Sequence, residues 1–229
     1  VIGAGNMGSG IAQKIATEGL PVVLVDLDDE KVARGMGIIQ STLAKGVERG
    51  IFRPEKVEQI LANVTGTSDW SVLSEVDIVI EAVFEDLGVK QQVFKRLGEV
   101  TKPTCILGTN TSSFFVKDVA AVTPHPERVV GLHYFYHPAM NRLVEVIGHE
   151  STDRAAYDAA WAAQEAIGKT PIDSADAPGF VVNRYFVPWL NEAVRLLEEG
   201  VADIATIDWA AKKAFRIGMG PFELMNVTG

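Results

Sequence analysis

Three glycines near the start of the chain, Gly3, Gly5 and Gly8, stand in the spacing G-x-G-x-x-G. Apolar Val1-Ile2 precedes them and reads as the end of a strand. A helical pattern follows to about residue 18, where Gly19 stops it. The next apolar run, Val22-Val23-Leu24-Val25, ends in Asp26, 23 residues after Gly3. A glycine turn alone says little. A turn that leaves a strand, opens a helix and is followed by a strand ending in an acid is the dinucleotide-binding arrangement.

Each residue then has an expected task. Gly3 makes the tight turn, Gly5 lets the backbone approach a pyrophosphate, and Gly8 lets helix and strand pack closely. Backbone N–H groups of the first helical turn, at Asn6 and Met7, face the phosphates. Asp26 accepts hydrogen bonds from ribose hydroxyls. A 2′-phosphate would meet Asp26 with Asp28 and Asp29 close by, and no cation follows until Lys31. The expected cofactor is therefore NAD rather than NADP. Asp28 reads as a helix N-cap.

Beyond this unit, helical patterns at 28–48, 54–62, 87–101, 115–122 and 153–167 alternate with apolar runs at 64–67, 76–83, 105–110, 129–135, 143–147 and 171–174. Alternation of this kind predicts an α/β fold, a Rossmann-type doubly wound, mostly parallel sheet covered on both faces. After Pro178 no strand pattern recurs, and helical runs cover 179–199 and 203–215. The expected division is a nucleotide-binding domain at 1–176 and the first part of an all-helical C-terminal domain at 177–229. The missing Met and the abrupt end suggest a natural chain longer at both ends.

Composition removes several other functions. Lys and Arg total 21 against 30 Asp and Glu, a net charge of −9, and no basic run offsets it. Nucleic acid is not an expected partner. No apolar run reaches the roughly 18 residues of a transmembrane helix, so no membrane role is expected. A single cysteine, Cys105, cannot form an internal disulfide and suggests a reducing, cytoplasmic setting. No metal site is expected.

Four histidines are candidates for acid–base chemistry. His125 and His149 read as surface residues, and His137 sits in an irregular segment before Pro138. His133 lies in an apolar and aromatic strand, where a histidine is more often structural than catalytic. Its neighbourhood changes that reading. Gly131-Leu132-His133-Tyr134-Phe135 followed by Leu143-Val144-Glu145-Val146-Ile147 resembles the active-site segment of the NAD-dependent 3-hydroxyacyl-CoA dehydrogenases. So do Thr109-Asn110-Thr111-Ser112-Ser113, the run from Asp176 through Pro178 to Arg184, and Gly218-Met219-Gly220-Pro221-Phe222-Glu223-Leu224. The matches keep family order over essentially the whole chain.

The resemblance implies an oxidoreductase of fatty-acid β-oxidation. It would interconvert (S)-3-hydroxyacyl-CoA and 3-ketoacyl-CoA, with an acyl-CoA thioester as substrate and NAD as hydride acceptor. His133 matches the general base and Glu145 the carboxylate that orients it. Ser112 and Asn183 match residues that hold substrate oxygens. Glu85, Lys90 and Asn110 match residues near the cofactor. By residue type alone, Ser112 could equally cap a helix, and Glu85 with Lys90 could be a solvated pair. An asparagine in the apolar helix around Asn183 is locally unfavourable, which fits a functional use.

One segment departs from the family pattern. Asn-Pro usually stands three and four residues after the histidine, where this chain has Tyr136 and His137. Tyr136 or Asn141 would then supply the missing substrate contact. Two alternatives remain at this level: an NAD-dependent β-hydroxyacid dehydrogenase acting on a free acid, and a non-catalytic NAD-binding module of a larger protein. A lysine base is usual in the former. The apolar faces of the C-terminal helices call for a partner, and a homodimer through the helical domain is expected.

Overall fold

The computed structural model describes residues 1–228. The chain separates into two compact units, one ending at Pro178 and the next beginning at Gly179. The first alternates strands and helices: α1 (Asn6–Thr17), β1 (Val22–Val25), α2 (Asp29–Glu48), α3 (Pro54–Ala62), β2 (Val64–Thr67), β3 (Ile78–Glu81), α4 (Leu87–Val100), β4 (Ile106–Thr109), α5 (Val116–Ala120), β5 (Val129–Tyr134), β6 (Leu143–Gly148), α6 (Arg154–Ala166) and β7 (Thr170–Ala175). Local chemistry sets several starts. The Asp28 side chain accepts from Lys31 N–H to cap α2, and Pro54 occupies the first turn of α3.

Ile2 joins the sheet. It bridges Val25 of β1 and Glu81 of β3 in parallel, donating from its N–H to Ile80 O at 2.9 Å. The spatial order is β2, β1, Ile2, β3, β4, β5, β6, β7. Among the described residues only β5 and β6 pair antiparallel. The chain between them is too short for the helical crossover a parallel pair requires, so it turns back directly. That reversal places His133 directly across from Glu145.

Strand alternation sorts the two faces. Val130, Leu132 and Tyr134 join Ile11, Ala12, Ile39, Leu43 and Ala160 in one apolar cluster under α1, α2 and α6. Gly131 and His133 point the other way. A Cβ on Gly131 would stand 2.9 Å from a Val116 methyl of α5. The sheet is thus covered on both sides along β5, and every β5 residue is buried.

The second unit contains α7 (Val182–Glu198), α8 (Ile204–Phe215) and α9 (Pro221–Thr228). The first of these starts later than the pattern at 179 suggests, because Gly179 and Phe180 take left-handed φ values of 76° and 47°. Asp203 caps α8 through Thr206 N–H. Buried Asp208 accepts from Phe222 N–H at 2.8 Å and Glu223 N–H at 3.1 Å, capping α9. Tyr185, Val187, Trp209 and Phe215 stay exposed on this unit. Among the described residues no helix is long and apolar enough to cross a membrane.

Candidate active site

The glycine turn lies where β1, Ile2 and β3 end, the carboxyl edge at which open α/β sheets take ligands. Gly3 has φ 99°, and a Cβ there would approach Ala82 O to 2.5 Å. A Cβ on Gly8 would sit 1.8 Å from Gly3 O, so only hydrogen lets α1 and the turn meet. The third glycine differs. A Cβ on Gly5 would meet nothing within 4 Å, and Gly5 and Asn6 are exposed. The start of α1 therefore presents an open cradle of backbone N–H groups, suited to a pyrophosphate.

Asp26 flanks that cradle. Its carboxylate accepts from Ala4 N–H at 2.6 Å and Leu27 N–H at 2.7 Å. Each oxygen keeps a further lone pair for a ribose hydroxyl. Lys31, the first cation beyond it, is paired with Asp28 at 2.6 Å rather than held out for a 2′-phosphate. The residues present fit NAD.

The next corner is built on charge. Glu81, at the end of β3, is fully buried and accepts from Lys90 Nζ at 2.7 Å, Thr109 Oγ1 at 2.7 Å and Val83 N–H at 2.8 Å. Lys90 is 1% exposed and also reaches Glu85 at 3.1 Å. Glu85 in turn accepts from Thr111 Oγ1 at 2.6 Å, Ser112 N–H at 2.9 Å and Ser113 N–H at 3.1 Å. Burial opposes ionisation of Glu85. The Thr111 hydroxyl, the Lys90 charge and the Ser112 N–H outweigh it and hold the carboxyl below its usual range.

A solvated Glu85–Lys90 pair is thus not what forms. Ser112 is not a helix cap either, since Phe115 holds that position for α5. Sequence pattern alone does not single out Glu81, Thr109 and Thr111 as members of this cluster. The signal it does carry is a carboxylate ending an apolar strand, nine residues before a lysine in the following helix.

His133 and Glu145 form the third element. The two residues are 6% and 0% exposed, and Nδ1 lies 2.6 Å from Glu145 Oε2. With the carboxylate accepting from Nδ1–H, the lone pair of the neutral ring lies on Nε2. The Phe135 ring packs 4.6 Å from the imidazole. Asn110 ties this strand to its neighbour, its Oδ1 accepting from Tyr134 N–H at 2.8 Å.

The substituted segment is ordered from within. His137 Nδ1 accepts from Ala139 N–H at 3.2 Å, and Asn141 Oδ1 accepts from Leu143 N–H at 3.1 Å. Asn141 is therefore engaged in starting β6, while Tyr136 is exposed and packs edge-on to His137. Asn183 stands at the second position of α7, in the helical unit. His125 pairs with Glu127, and His149 contacts Pro126 O. No metal-ligating cluster occurs among the described residues.

A Rossmann sheet with an open glycine cradle, an acid flanking that cradle and a buried histidine–carboxylate pair suits a nucleotide-dependent dehydrogenase. Known proteins make the assignment narrower. The family description "3-hydroxyacyl-CoA dehydrogenase, NAD binding domain" matches residues 1–177, and the C-terminal domain of the same family matches 179–229. The 3-hydroxybutyryl-CoA dehydrogenase of Clostridioides difficile is 38% identical over 229 residues, spanning 100% of this chain and 82% of that protein. Human mitochondrial hydroxyacyl-coenzyme A dehydrogenase is 39% identical over 235 residues, spanning 100% and 75%. The crystal structure of M. tuberculosis FadB2 superposes with a TM-score of 0.96 at 36% identity, covering 100% of this chain and 81% of that one. The chain belongs to the 3-hydroxyacyl-CoA dehydrogenase family. It is an NAD-dependent oxidoreductase.

Proposed function

We propose that the protein catalyses the reversible oxidation of (S)-3-hydroxyacyl-CoA to 3-ketoacyl-CoA, with His133 as general base. The observation that carries this reading is the buried 2.6 Å contact between His133 Nδ1 and Glu145 Oε2. A neutral imidazole held in this way offers Nε2 to a substrate hydroxyl. As the C3–O bond becomes a carbonyl, the hydroxyl proton moves to Nε2 and the C3 hydrogen leaves with its electron pair. Bound NAD supplies the acceptor for that hydride. The imidazolium that results is balanced by Glu145 across the antiparallel pair, which lowers the cost of charging a buried ring.

Ser112 and Asn183 hold the substrate oxygens in this reading. Gly3, Gly5, Asn6, Met7, Gly8 and Asp26 take the adenosine and pyrophosphate side of NAD, and Glu85, Lys90 and Asn110 the nicotinamide side. The names of the bacterial relatives favour a short acyl chain. Exposed Tyr185, Val187, Trp209 and Phe215 support a homodimer through the helical unit, which light scattering tests directly. The buried free thiol of Cys105 suits a reducing cytoplasm.

The discriminating experiment compares NADH oxidation with acetoacetyl-CoA and with free acetoacetate. Turnover on the thioester and little on the acid is expected. Equal efficiency on both would overturn the CoA reading.

A further inference from the structure

Lys169 is a buried cation that the chemistry above does not use. It is 5% exposed and stands between the end of α6 and β7. Gly168, at φ 69°, closes α6 in a left-handed turn, with Lys169 N–H donating to Gln164 O at 2.9 Å. The Lys169 side chain then reaches the connection between β5 and β6. Its Nζ donates to Pro138 O and, at 2.7 Å, to Asn141 O, and lies 5.3 Å from the centre of the Tyr134 ring. Among the described residues no carboxylate forms an ion pair with it. The charge that acts on it is repulsive Lys14, itself paired with Glu18 at 2.6 Å.

A charge kept dry on two carbonyls and a ring face is costly. Burial, with a smaller push from Lys14, lowers the Lys169 ammonium to about 8. What the lysine holds explains the expense. Pro138 and Asn141 belong to the connection that leaves β5 just after His133 and returns as β6 carrying Glu145. That connection has neither helix nor ladder of its own. It rests on Gly10 of α1, where a Cβ would come within 3.0 Å of Pro138 Cδ. Its internal bonds converge on His137. Met140 N–H and Asn141 N–H donate to His137 O at 2.9 and 2.8 Å, and Ala139 N–H donates to His137 Nδ1. Burial, and then the Lys169 charge, disfavour the imidazolium form of His137 and so preserve the ring acceptor.

We infer that Lys169 is a positioning residue that fixes residues 136–141, the connection that leaves β5 after His133, from the face opposite the His133–Glu145 pair, and that this connection walls the substrate site. The inference rests on the acyl-CoA reading for the substrate it orders, and on geometry alone for the segment it holds. A hydrophobic side chain of equal length would fill the same space. It could not tie two carbonyls three residues apart.

The test uses Lys169→Met, with two readouts. Kinetics with acetoacetyl-CoA and NADH should show KM for the thioester raised about tenfold, kcat changed less, and NADH affinity within about twofold, because misplacing a substrate-facing wall costs up to ~10²-fold. Amide hydrogen exchange should quicken over residues 136–142 and stay unchanged in α1. Loop exchange at the wild-type rate would overturn the inference, as would equal losses for thioester and NADH. Where Lys169→Met does not fold, Lys169→Gln serves, since its shorter amide reaches one carbonyl at best. Intermediate loosening is expected there, and wild-type exchange again overturns the inference. A wild-type protein inactive on acetoacetyl-CoA would strike the proposed function, while hydrogen exchange would still decide the role of Lys169.

Discussion

Glu81 and Glu145 are both sealed from solvent within one sheet, and their partners differ in kind. Glu81 faces the ammonium of Lys90, and its remaining capacity goes to Thr109 and the Val83 N–H. Glu145 faces the imidazole of His133, whose second ring nitrogen can take up a proton. In a low-dielectric setting the partner decides what a carboxylate does. Opposite a lysine it fixes a corner of the fold. Opposite an imidazole it lends stability to a charge that appears only when a proton arrives. The same acid type meets a lysine at the end of β3 and, in the middle of β6, a histidine that the proposed reaction uses.

Lys90→Met is the strongest way to break this contrast. It leaves Glu81 buried with its cation gone, and losing one member of a buried pair costs about 3–5 kcal/mol. Urea unfolding should show that loss. His133→Gln, whose side-chain amide can still donate to the buried Glu145 carboxylate, should shift the same curve by less, about 1 kcal/mol. Comparable shifts for the two variants would mean that both pairs are structural.

His133→Gln sharpens the contrast from the other side. Removing a general base lowers turnover by at least ~10²-fold. NADH affinity, read by fluorescence, should change less than about twofold, because the glycine cradle and Asp26 are untouched. Unchanged turnover would remove His133 from the mechanism.

The two corners also differ in how far the sequence discloses them. The glycine turn is a backbone feature with a fixed spacing, so Gly3, Gly8 and Asp26 are legible in the order of residues alone. The Asp28 cap and the Pro54 start are equally local. The His133–Glu145 pair needs a strand reversal, which spacing alone permits but does not dictate. The Glu81–Lys90–Glu85 cluster stays hidden because it draws on three separate turns of chain, the ends of β3 and β4 and the start of α4. Sequence pattern cannot tell a lysine that folds inward from one that reaches water. Lys169 stays hidden for the same reason, since its partners are backbone carbonyls, which leave no mark in side-chain pattern. The late start of α7 follows from left-handed Phe180, a conformation its residue type does not announce.

The smallest effect separates a third acid from the first two. The Glu85 side chain is 34% exposed, shares Lys90 with Glu81 and gathers the Thr111, Ser112 and Ser113 donors. Its carboxyl is held below the ordinary value of 4.5 in the fold. A depressed acid contributes stability that is fully present above its unfolded value and is lost as pH falls through the folded one. Glu85→Gln keeps an acceptor for the N–H donors and removes only the charge. Solvent screening limits the difference to about 1 kcal/mol or less. The stability gap between wild type and variant should hold constant from neutral pH down to near 4.5 and close below it. A gap that widened in acid would show that Glu85 is neutral in the fold, and that Lys90 is committed to Glu81 alone.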